Sequence, residues 1–132
     1  MRITVDTNIL VRAVMHDDMA QADAAARLLR EAEIIAIPMP CLCEFVWVLR
    51  RVYGLRQQDI HAALQALLNA GNVAVNRPAV EAGLALLDAG GDFADGVIAL
   101  EGQFLGGETF VSFDKQAVAL LDKQGQAARV LV

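Results

Sequence analysis

Five carboxylates stand where an ordinary solvated surface does not fully explain them. Asp6 follows the strand-like run Arg2–Val5 and opens DTNIL, and Asp114 repeats the arrangement after TFVSF. Asp92 and Asp95 begin a helix in GGDFADGVIAL, while Glu44 lies in PMPCLCEFVWVLRR with apolar residues on both sides. Each has a structural explanation. Asp6 (or Thr7), Asp92 and Asp114 suit helix N-caps, which accept hydrogen bonds from otherwise unpaired amides, and Asp95 suits the third position of a reciprocal cap. Asp95 lies closer to the apolar face of Val97, Ile98 and Ala99, so solvation explains it less well. Glu44 is expected to be at least partly buried, hence paired with Arg50, Arg51 or another base, or bound to metal. Gathered at about 4 Å, carboxylates repel by roughly 4 kcal/mol per pair at an effective dielectric of about 20, so a cluster of them calls for a cation. With no useful His or Cys, oxygen-only ligation points to Mg²⁺ or Mn²⁺.

The elements that must hold these groups alternate. Strands are predicted at Arg2–Val5, Ile34–Ile37, Asn72–Val75, Thr109–Phe113 and Arg129–Val132. Between them run helices from about Thr7 to His16, from Asp18 onward, from Pro40 to about Tyr53, from Gln57 to Asn69, one with Pro78 in its first turn that Gly90 and Gly91 end, and others from Phe93 to Leu105 and from Lys115 to Lys123. Asp18 with Gln21 resembles a capping box, and Met19, Ala22, Ala26 and Leu29 share one face of the helix it opens. Strand–helix alternation predicts an α/β fold with a mostly parallel sheet covered on both sides, in which function sits at the carboxyl ends of strands. Asp6 and Asp114 occupy that position, Asp6 on an expected central strand.

Bulk composition narrows the classes. The 132 residues suit one domain, and 56% hydrophobic content with 5% aromatic requires an aliphatic core and excludes disorder. Sixteen acids against eleven bases argue against a broad basic nucleic-acid face. Setting aside Asp6, Glu44, Asp92, Asp95 and Asp114 leaves the rest neutral, so the acidity is concentrated in the chemistry-bearing residues. Cys41 and Cys43 would point to different faces of one helix and cannot readily bridge, which fits a reducing cytoplasm. MRITVDTN does not read as a signal peptide, and no apolar stretch reaches the roughly 20 residues needed to span a membrane. His16 and His61 read as a helix end and a helix flank, and Trp47 as core or interface. Arg50, Arg51 and Arg56 read as a solvated face, with RNA contact as the second choice.

Strand–DTNIL, Glu44 in an apolar helix, DFADGVIA and VSFDK together resemble a PIN domain and, more narrowly, the VapC-type toxins of bacterial toxin–antitoxin pairs. The resemblance covers nearly the whole chain, 1–132, as one domain, and implies a PIN-like three-layer α/β/α sandwich with a mostly parallel central sheet of about four or five strands. It implies a Mg²⁺- or Mn²⁺-dependent endoribonuclease, with Asp6, Glu44, Asp95 and Asp114 as catalytic metal ligands and Asp92 as an accessory acid. Thr7, Asn8 and Ser112 would orient those ligands, and Arg50, Arg51 and Lys115 could contact RNA phosphate. Ser112 stands where the family usually has Thr, and Lys115 where Arg is common, which keeps the charge but loses the bidentate fork. A small antitoxin protein and a homodimer are implied as partners. Two other functions fit less well. A Mg²⁺-dependent phosphatase of the haloacid-dehalogenase type needs a second Asp where Asn8 stands, and a catalytically dead PIN-like interaction module would not need the complete acid set.

Overall fold

β-Branched residues and proline punctuation set the first half of the chain. In the computed structural model, which describes all 132 residues, Met1–Asn76 forms one compact unit and Arg77–Val132 a second. The first unit runs β1 (Arg2–Thr4), α1 (Thr7–Met15), α2 (Met19–Glu31), β2 (Ile34–Ala36), α3 (Met39–Arg51), α4 (Gln57–Asn69) and β3 (Val73–Ala74). Its strands pair in parallel in the order β1-β2-β3, with Ile3 opposite Ile35 and Ile35 opposite Val73. Parallel neighbours require long crossovers, and the helix pairs α1–α2 and α3–α4 supply them. Leu10, Ile35, Leu42, Phe45, Leu49 and Ile60 are almost wholly buried, each contributing roughly 1.5–3 kcal/mol of transfer free energy. The Asn72 amide donates to the carbonyls of Leu29 and Ala32 at 2.9 and 3.0 Å, closing the otherwise unpaired end of α2.

The second unit runs α5 (Arg77–Asp88), α6 (Phe93–Phe104), β4 (Phe110–Ser112), α7 (Lys115–Lys123) and β5 (Ala128–Val130). β4 and β5 pair in parallel, with Phe110 opposite Ala128 and Ser112 opposite Val130. Leu86, Ala99 and Leu121 form a buried cluster against which Phe110 packs. Two glycines let α5 and α6 approach closely. A Cβ on Gly83 would meet the Phe93 ring at 2.5 Å, and one on Gly96 would strike the backbone carbonyl of Ala82. The fully buried Phe93 ring therefore lies over Gly83 and anchors the first turn of α6, which carries Asp92 and Asp95.

The mixed α/β class with parallel strands is as the alternation predicts. The five strands, however, hydrogen-bond as two parallel sheets of three and two, and β1 is an edge strand of its sheet rather than a central one. Strand spacing reveals parallel pairing through crossover length, but sheet order depends on contacts distant in sequence. A second difference lies in α2, whose buried residues are Ala22 and Ala25, whereas Met19 is exposed. Alanines permit the close α1–α2 approach; a methionine in the first turn lies outside it. No helix is long and apolar enough to cross a membrane.

Candidate active site

In the first unit, the charges of two acids reach one thiol. Asp6 is the N-cap of α1, its Oδ1 accepting from the Ile9 amide at 3.2 Å. Thr7, the next residue, is buried despite its hydroxyl, and lies against Cys41 of α3. Burial raises the Cys41 thiol pKa; a hydrogen bond with Thr7 opposes that rise, and the negative charges of Asp6 and Glu44 add to it. Asp6 and Glu44 thus both act on the Cys41 thiol, with Thr7 as its polar contact. Cys41 was not among the expected site residues. Its spacing of three residues before Glu44, one helical turn, was the available signal.

Glu44 itself is exposed, which corrects the expectation of burial. Helix α3 turns Leu42, Phe45, Val46 and Leu49 inward, and Pro40, Glu44, Trp47 and Arg51 follow one another at helical spacing along a solvent-facing stripe. The apolar neighbours of Glu44 therefore lie on the other face. Its charge needs no buried partner and remains available to a ligand. Trp47, at 57% exposure, is excluded from the core. Arg50 and Arg51 are exposed, and Arg56 pairs with Asp59 at 3.4 Å. Asn8 is exposed beside Asp6.

In the second unit, three aspartates are drawn together by two helix starts. Asp92 caps α6 through Oδ1, accepting from the Ala94 amide at 3.1 Å. Asp114 caps α7, its Oδ1 accepting from Gln116 and Ala117 at 2.9 and 3.1 Å. Ser112 Oγ accepts from the Asp114 amide at 3.0 Å, so this hydroxyl sets the backbone from which the carboxylate projects. Asp95, half-buried in the first turn of α6, has its pKa raised by burial and then by the charges of Asp92 and Asp114. Lys115 is exposed.

The capping and functional readings are compatible. Asp6, Asp92 and Asp114 each spend one carboxylate oxygen on a helix start, which leaves the second for another partner. Asp95 caps nothing and bears an unfavourable charge. No three His, Cys, Asp or Glu side chains are gathered into a group able to hold a metal ion by themselves. A divalent ion would be held here only together with water or substrate phosphate, as Mg²⁺ commonly is. The donors are of the right kind: oxygen ligands with excess negative charge, beside helix N-termini whose dipoles temper the repulsion.

The buried thiol gives a direct check on this geometry. Cys41 is 8% exposed and its thiol pKa is raised, whereas Cys43 is half-buried; neither forms a disulfide. Iodoacetamide applied to the native protein at mildly alkaline pH is expected to modify Cys43 well before Cys41, as read by peptide mass spectrometry. Faster labelling of Cys41 would contradict the placement of Thr7 and Cys41 against each other.

A search of curated proteins finds no match to the chain. The PIN domain family model matches residues 3–122, a stretch that begins before Asp6 and ends after Asp114, so that all five carboxylates lie within it. PIN domains are generally nucleases, hydrolases acting on nucleic acids, and typically use divalent metal ions. With its parallel strands, capped helices and carboxylates at strand ends, the chain belongs to the PIN domain family.

Proposed function

We propose that the protein is a Mg²⁺-dependent endoribonuclease (Mn²⁺ serving in its place), acting as the toxin of a VapC-type toxin–antitoxin pair in the cytoplasm. The observation that carries this reading is the extent of the family match, which crosses from the first unit into the second and includes every carboxylate. It also supports treating the chain as one functional PIN domain.

In this reading Asp6, Glu44, Asp95 and Asp114 hold the metal, with Asp92 as an accessory acid. The ion would lower the pKa of the attacking water and offset charge on the phosphate. The chain's own contribution is positioning. The N-cap bonds hold Asp6 and Asp114, Ser112 fixes the backbone under Asp114, and Thr7 supports the packing beside Asp6. Asn8, next to Asp6, is available to hydrogen-bond a ligand or substrate. Arg50, Arg51 and Lys115 are exposed cations suited to RNA phosphate. Exposed Trp47 and Val52, at 57% and 64%, support an associating surface for a homodimer or an antitoxin.

Incubation with structured RNA and Mg²⁺ is expected to give discrete cleavage products, and EDTA to stop their formation. Cleavage that persists in EDTA would overturn the metal dependence, and no cleavage with any divalent ion would overturn the nuclease assignment. Expression in a bacterium is expected to arrest growth, with relief by a short reading frame adjacent to the gene. Growth without arrest would remove the toxin reading alone.

A further inference from the structure

A half-open cavity of about 490 Å³ lies along helices α1 and α2, and Asp6 and Asn8 help to line it. Ile9, Ala25 and Leu28 give it an apolar wall, and Arg12 and Gln21 add polar groups. Its size falls within the roughly 300–1,000 Å³ of small-molecule sites, and its composition of apolar walls with a few polar groups is typical of them.

The polar groups are not loose. Arg12 Nε donates to Gln21 Oε1 at 2.6 Å, and Nη1 donates to Asp17 Oδ1 at 3.1 Å. Tyr53 Oη in turn donates to Asp17 Oδ2 at 2.6 Å, joining the end of α3 to the α1–α2 connection. This chain alters the role expected of Gln21. Asp18 does accept from the Gln21 amide at 3.1 Å, as in a capping box, but the Gln21 side-chain oxygen is engaged by Arg12. Its amide NH₂ remains as a donor, and Arg12, held by two acceptors, keeps a fixed planar face.

Local charge selects the occupant. Of the lining residues Asp6 balances Arg12, and Arg12 is itself paired with Asp17, so the cavity offers an anion no net positive charge. A neutral, flat group with acceptors at its edge matches better. Single-stranded RNA is read in this way, by bases splayed out, stacked on apolar or guanidinium surfaces, and hydrogen-bonded along their edges. The geometry points to a base-binding subsite: the α1–α2 cavity takes one unpaired base of the substrate strand, stacked between Arg12 and the Ile9–Leu28 wall, with Gln21 donating to its edge. This rests on the nuclease reading and adds a specificity determinant beside Asp6.

The test pairs cleavage with binding. Wild type is expected to favour particular bases at one position near the cut in a pool of randomised single-stranded RNA. Gln21→Leu should reduce that preference by roughly 10-fold, the effect of losing one hydrogen bond. Ala24→Phe, at an exposed position lining the same cavity, should abolish it by filling the space while leaving the thermal midpoint near wild type. A cleaving wild type with no base preference, or one whose preference both variants retain, would overturn the subsite and leave the nuclease reading standing. If wild type cleaves nothing, the nuclease reading fails, and the second arm decides the subsite alone. That arm titrates uridine, cytidine, adenosine and guanosine, each separately, into the full chain by amide NMR. Shifts centred on Ile9, Gln21, Ala25 and Leu28, weakened by Ala24→Phe, support a base pocket; their absence with all four nucleosides overturns it.

Discussion

Asp95→Asn is expected to reduce RNA cleavage by about 100-fold or more, on the scale of removing one electrostatic group from an active site, while raising the thermal midpoint. The two effects share one cause. Asp95 is half-buried beside Asp92 and Asp114, and burial first, then those charges, raises its pKa. A folded-state pKa above the unfolded value means that ionised Asp95 opposes folding at neutral pH. The stability associated with its protonated form is fully present below the ordinary Asp value of 3.8 and is lost as pH rises through the folded pKa. Asparagine keeps the shape and removes the charge. The stability gap between variant and wild type should therefore be widest at neutral pH and close as pH falls towards 3.8. Added Mg²⁺ should raise the wild-type midpoint more than that of the variant, because it relieves a repulsion the variant lacks. Calorimetry across pH, with and without Mg²⁺, reads these differences. A lowered midpoint at neutral pH would mean that the charge supports the fold, and undiminished cleavage would remove Asp95 from the proposed site.

Gly96→Ala is expected to destabilise the protein by about 3 kcal/mol, the upper end for overpacking, because the obstacle is backbone. The new Cβ would strike the Ala82 carbonyl oxygen and lie 2.9 Å from the Gly83 Cα, so no rotamer change relieves it. Helices α5 and α6 must part, taking with them the turn that carries Asp92 and Asp95. The midpoint should fall by roughly 10 °C, and activity should fall with it. Gly102→Ala supplies the opposite sign in the same helix. Nothing lies within 4 Å of a Cβ at Gly102, so alanine's higher helix propensity should stabilise by up to about 1 kcal/mol. Chemical denaturation of the two variants side by side checks the contrast. Equal effects would show that α5 and α6 do not pack through Gly96.

Much of the site was legible because its positions are set by short-range rules. Asp6, Asp18, Asp92 and Asp114 are caps in the structure, as their places before apolar helices indicated. The amide that each accepts from lies two or three residues ahead, so no distant contact is needed to specify the bond. Asp95 was legible as an ill-solvated acid from its closeness to Val97 and Ala99, which are buried, although Ile98, read onto the same face, is exposed. Glu44 was misread because its apolar neighbours hide which face α3 buries. Trp47 and Val48 lengthen the apolar run without joining the core, and only packing separates them from Phe45 and Leu49.

What the sequence by itself determined was the alternation of strands and helices, their caps, and the presence of four acids at or near helix starts, with Glu44 within α3 as the fifth. Those features depend on local hydrogen bonds and on the period of apolar residues. Only the tertiary structure decided that Cys41 comes under the charges of both Asp6 and Glu44, that Asp95 comes under those of Asp92 and Asp114, and that Arg12 takes Gln21 away from its capping box. It also decided that the strands pair as sheets of three and two. Each of these joins residues from different elements, and their meeting depends on how helices pack, which no local pattern encodes.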